Sequence, residues 1–165
     1  MCYNNLMKKI AILYTEYSPT IDAIKYQLSD CTVDCITKPI EIDSYDLVVL
    51  SDYKNTYHGE ALACHHSLLP AFTGENPEKQ AIIEGAKVTG ITVYSINPQR
   101  IIAQYPVFIS NNMNLKELEQ ELQYVEQTIY PIVIEKVLKN EAFELRTLLN
   151  KKPSCCSGGC SSCSH

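Results

Sequence analysis

Two unbroken apolar runs, Ile10-Ala11-Ile12-Leu13-Tyr14 and Leu47-Val48-Val49-Leu50, constrain the fold of this chain more than any other feature. A strand with one wet face alternates apolar and polar side chains. A continuous run instead marks a strand covered on both faces, as in a parallel sheet flanked by helices. Ser18-Pro19 follows the first run and supplies a helix N-cap with proline at the first helical position. Ile21, Ile24 and Leu28 then recur at helical spacing, which predicts an amphipathic helix ending near Ser29. Residues 33–36 read as a second strand closed by Lys38-Pro39, and residues 46–50 as a third. This strand–helix–strand–strand opening argues for an α/β domain with a parallel sheet.

The second half changes character. Residues 78–85 predict a short helix with Gly85 as its C-cap. Residues 88–96 and 101–109 read as strands joined by the turn Asn97-Pro98-Gln99-Arg100, a link so short that the two must be antiparallel. Pro106 places the second of them at an edge or a bulge. Asn114 and Glu117 have capping-box spacing, and Leu115, Leu118, Leu122, Val125, Ile129, Val133 and Val137 trace one face of a long helix. Pro131 predicts a kink there. The stripe reads as core, with a dimer seam as the alternative, and the sequence does not fix the oligomeric state.

A chain of 165 residues supports one domain with a real core. The composition divides it into a flexible extension over 1–7, a folded domain over 8–150 and a Cys/Ser/Gly-rich tail over 151–165. Fourteen Lys and Arg against nineteen Asp and Glu give a net charge of −5, and the basic residues are scattered, which argues against a nucleic-acid partner. No apolar stretch approaches the about 20 residues of a membrane span. The first residues lack the basic and then apolar pattern of a secretory signal, so the expectation is a cytoplasmic protein with reduced cysteines.

Four segments then occur in a telling order. They are His65-His66-Ser67-Leu68-Leu69-Pro70-Ala71-Phe72, then Gly85-Ala86-Lys87-Val88-Thr89-Gly90-Ile91-Thr92-Val93-Tyr94, Ile101-Ile102-Ala103-Gln104, and Tyr130-Pro131. Together they resemble the second half of the phosphoribosylglycinamide formyltransferases, whose hallmark is Asn-x-His-Pro-Ser-Leu-Leu-Pro followed by Gly-x-Thr-Val-His. The resemblance implies a Rossmann-like formyltransferase fold with a mostly parallel sheet, an antiparallel C-terminal hairpin and a long C-terminal helix. It also implies formyl transfer from formyl-tetrahydrofolate to an amine, a step of purine biosynthesis. In that family an Asn amide and a His stabilise the developing oxyanion, an Asp assists proton transfer, and a Gly-rich loop holds substrate phosphate.

Transferred position by position, the resemblance leaves His65 as the catalytic candidate. Ala63 stands at the Asn position, His66 replaces the proline, the turn over 97–100 has no carboxylate, and the loop Thr15-Glu16-Tyr17-Ser18 has no glycine. His65 is therefore either a surviving oxyanion or acid–base group, or a histidine hydrogen-bonded to backbone beside a strand end. Cys64, His66 and His58 raise the further possibility of a metal cluster, although His65 and its strand neighbours point to opposite faces. The chain also lacks room for a strand–helix unit between Pro39 and Tyr45. The expectation is a formyltransferase-like protein that is catalytically degenerate.

The alternative is a soft-metal-binding or thiol-redox protein acting through the tail. Cys155, Cys156, Cys160, Cys163 and His165 fall within the last eleven residues, and thiolates on a Ser/Gly chain suit zinc, copper or an iron–sulfur cluster. The partner would then be a soft metal ion, and otherwise a small-molecule ligand.

Overall fold

The computed structural model describes residues 7–38, 42–52 and 57–146. Six strands form one sheet: β1 (Lys9–Leu13), β2 (Thr32–Ile36), β3 (Leu47–Leu50), β4 (Leu62–His65), β5 (Val88–Ser95) and β6 (Arg100–Phe108). Their spatial order is β2-β1-β3-β4-β5-β6. The first four pair in parallel, and β5 and β6 complete the sheet as an antiparallel hairpin. The helices are α1 (Pro19–Gln27), α2 (Pro77–Ile83) and α3 (Leu115–Leu138).

The apolar runs do what their continuity requires. Ile10 and Ile12 face one side of β1 and join Ile21 and Ile24 of α1 and its C-cap Leu28 in the larger core. Ala11 and Leu13 face the other side, with Val48, Leu50, Ala61 and Ala63. Ile10, Ala11, Ile12 and Leu13 are all fully buried. The α3 stripe is spent on the larger core, where Leu118, Leu122, Ile129, Val133 and Ile134 are buried. Tyr130, fully buried on α3, donates its hydroxyl to the carbonyls of Leu50 and Leu62 at 3.0 and 2.9 Å, tying the helix to the ends of β3 and β4.

Pro131 lies inside α3 without ending it, because buried packing on both sides of the proline outweighs the lost backbone bond. The strand that the sequence implies around His65 is β4, which draws on the short apolar run Ala61-Leu62-Ala63-Cys64 and ends at His65. The segment joining β2 to β3 contains, among its described residues, one 3-10 turn at Ile42–Ser44, in keeping with the missing strand–helix unit. Gly90 has a specific steric task, because a Cβ there would lie 2.1 Å from the Tyr105 carbonyl and 2.8 Å from the Leu68 side chain. Its bareness lets the chain after β4 settle against the hairpin. Among the described residues, no helix is long and apolar enough to cross a membrane.

Candidate active site

His65 ends β4 and pairs across the sheet with Thr92 of β5, while Ala63 pairs with Tyr94. The strand period of two puts Ala63 and His65 on one face and Cys64 and His66 on the other. After His66 the chain folds back over the sheet under a set of polar ties. Thr92 Oγ1 donates to the Ser67 carbonyl at 2.6 Å and accepts from the Leu69 amide at 3.0 Å. Gln104 Nε2 donates to the Leu69 carbonyl at 2.8 Å, and Ser67 Oγ donates to the Ala71 carbonyl at 2.6 Å.

These ties deliver the Phe72 carbonyl to His65 Nε2 at 2.9 Å. A carbonyl can only accept, so Nε2 carries the proton and donates it there. In the tautomer that this bond selects, Nδ1 is an acceptor, the wrong polarity to meet a developing oxyanion. Ala63 offers no side-chain donor. The turn after β5 is built on backbone acceptors, with Ser95 Oγ donating to the Pro98 carbonyl at 2.6 Å, and its residues Asn97, Pro98, Gln99 and Arg100 include no carboxylate.

Beside these elements lies a cavity of about 360 Å³, lined by Leu69, Pro70, Thr73, Tyr94, Gln99, Arg100 and Ile101. Its size and largely apolar wall suit a flat heterocycle, and the Arg100 guanidinium suits a carboxylate. Formyl-tetrahydrofolate has both parts, so the residues present fit the carrier.

His66 points the other way and joins the two helices behind the sheet. Its Nδ1 lies 2.6 Å from Glu78 Oε1 of α2, and its Nε2 lies 2.8 Å from Glu126 Oε2 of α3. Burial alone would lower the imidazole pKa. The hydrogen bonds to Glu126 and Glu78 and their negative charges outweigh it and raise the value from 6.5 to about 9. With both nitrogens taken by carboxylates, His66 joins neither Cys64 nor His58 in a ligand set. Among the described residues, no group of three or more His, Cys, Asp or Glu side chains is arranged to hold a metal. Burial pushes the Cys64 thiol well above its ordinary range, so it stays protonated. Cys155, Cys156, Cys160, Cys163 and His165 lie outside the described residues.

At the carboxyl end of β1, Asp52 reaches over from the end of β3. Its Oδ1 accepts from the Thr15 amide at 2.7 Å, and its Oδ2 accepts from the Glu16 amide at 2.8 Å and from Thr15 Oγ1 at 2.9 Å. The sequence reading passed over Asp52, Glu78 and Glu126. Glu126 had a legible signal, because it sits four residues after Leu122 and three before Ile129, on the apolar stripe, and is only 8% exposed. Asp52 lies two residues past a buried strand in a sheet of this class, where ligands gather. Nothing in sequence marks Glu78.

A family model described as formyl transferase matches residues 13–134. The chain belongs to the formyl transferase family. The phosphoribosylglycinamide formyltransferase of Bacillus subtilis is 32% identical over 115 residues, covering 62% of this chain and 59% of that protein. A formyltetrahydrofolate deformylase of Haemophilus influenzae is 30% identical over 117 residues, covering 62% of this chain and 42% of that protein. The chain thus spans well under two thirds of either relative. The crystal structure of phosphoribosylglycinamide formyltransferase from Bacillus halodurans superposes with a TM-score of 0.65 at 26% identity, covering 83% of this chain and all of that one. The enzyme of the same name from Anaplasma phagocytophilum gives 0.69 at 18% identity, covering 81% and 88%, a likeness of fold.

Proposed function

We propose that this formyl transferase family member binds a formyl-tetrahydrofolate-type carrier in the cavity beside Tyr94 and Arg100 but does not pass the formyl group to an amine. The carrier, when bound, supplies an activated one-carbon unit. The observation that carries the reading is the His65 Nε2 bond to the Phe72 carbonyl. It spends the donor of the one polar side chain that remains from the Asn–His–Asp set. The cavity supports the binding half of the reading, because ring-sized apolar walls with one cation at the mouth need no catalytic groups. Equilibrium dialysis tests that half. Wild-type protein retains formyl-tetrahydrofolate, and Arg100→Ala weakens retention about tenfold through loss of the carboxylate partner. Wild-type protein that retains none refutes it.

A second reading concerns the tail. The density of Cys155, Cys156, Cys160, Cys163 and His165 supports a soft-metal site of zinc, copper or an iron–sulfur cluster, separate from the folded domain. Anaerobic metal titration of the full chain and of a chain ending at Asn150 separates the two. The full chain takes up one additional equivalent, and equal stoichiometry for both ends this reading.

A further inference from the structure

In an open α/β sheet, ligands enter the crevice at the carboxyl ends of the strands, where the strand order reverses. Here that point lies between β1 and β3, since the chain leaves β1 through α1 toward β2 on one side and returns to place β3 on the other. Backbone N–H groups in the loop between strand and helix are the natural seat for a ligand's anionic group at such a crevice. Those of Thr15 and Glu16 are turned toward it, and both are already taken by the Asp52 carboxylate. The Thr15 hydroxyl completes a three-donor seat for that carboxylate. A second tie crosses the same gap. Ser18, the N-cap of α1, makes no cap bond with its side chain and instead meets Ser51 Oγ at 3.0 Å, next to Asp52.

We infer that Asp52 is a specificity-determining residue: an internal anion that closes the crevice between β1 and β3 to phosphorylated ligands. This crevice is distinct from the cavity beside Tyr94 and Arg100 that the proposed function assigns to the carrier. A phosphate brought to the Thr15 and Glu16 amides would have to displace a charged group that already satisfies them, and it would meet that charge at contact distance. The Glu16 carboxylate on the same loop adds to the unfavourable field. The part of any ligand that reaches this crevice therefore carries no phosphate.

Titration of the full-length protein with inorganic phosphate, read from the amide resonances of Thr15 and Glu16, tests this. The comparison is with Asp52→Asn, which keeps the side-chain shape and one acceptor, and with Asp52→Gly, which empties the seat. Wild-type resonances stay in place across the titration, while those of both variants shift saturably. If Asp52→Gly does not fold, Asp52→Asn decides. A wild-type response equal to that of the variants, or folded variants as indifferent to phosphate as wild type, overturns the assignment. The readout is phosphate binding alone, so failure of folate retention refutes the earlier reading without changing this result.

Discussion

Replacing His66 with glutamine lowers stability by about 3 kcal/mol at pH 6.5, and the deficit disappears by about pH 9. The imidazolium sits between Glu78 and Glu126, and its side chain and theirs are 24%, 17% and 10% exposed, so solvent screens the pair of bonds only partly. In the unfolded chain the ring returns to its ordinary value of 6.5, whereas folding raises it to about 9. The folded state binds this proton more tightly, so the stabilisation is complete below pH 6.5 and is lost as the pH rises through about 9. Glutamine keeps the size of the side chain and a hydrogen bond but cannot carry the charge that holds two carboxylates together. For a domain of this size the acid-side difference corresponds to about 10 °C in melting temperature. Cys64 adds its own loss only near and above its ordinary value of 9.0, so the lower part of the interval reports His66. Chemical unfolding of both proteins across this range checks the prediction, and parallel pH profiles would show that the bridge carries no proton-linked stability.

This bridge also illustrates what the sequence could and could not reveal. The parallel sheet was legible because strands buried on both faces must be apolar at every position, and Ile10 to Leu13 and Leu47 to Leu50 are. The long helix was legible because its cap and its stripe agree, and Asn114 and Glu117 do form the reciprocal capping box. The place of β4 in the sheet was hidden because its pairing, with β3 on one side and β5 on the other, is supplied by distant residues rather than by its own four. The same nonlocality hid most of the site. His65 stood out by its neighbours in the chain, but the atom that occupies its Nε2 is a backbone carbonyl, which has no sequence signature. Asp52 lies 37 residues from Thr15 and Glu78 lies 12 from His66, and their partnerships exist only once the sheet order is known.

Formyl transfer to phosphoribosylglycinamide is expected to fall below detection. Loss of one oxyanion donor costs about 10²–10³ in rate, and loss of a positioned acid–base group costs about 10²–10⁴. On the proposed reading, with Ala63 at the position of the amide donor and a turn at residues 97–100 without a carboxylate, the combined deficit is roughly 10⁴-fold or more. The remaining imidazole does not compensate, because its proton is held by the Phe72 carbonyl. Even a protonated ring, with a second N–H to offer, would lack the orienting carboxylate that makes such a group effective. Hydrolysis of the carrier without an amine acceptor meets the same barrier at the formyl oxygen, so it is expected to be absent too.

The most direct measurement of that central claim is a single-turnover reaction with protein in excess over formyl-tetrahydrofolate, following tetrahydrofolate release with and without the amine. The account predicts no release above the uncatalysed background in either case, and no difference between wild type and His65→Ala. Release by the wild-type protein that disappears in His65→Ala would contradict it.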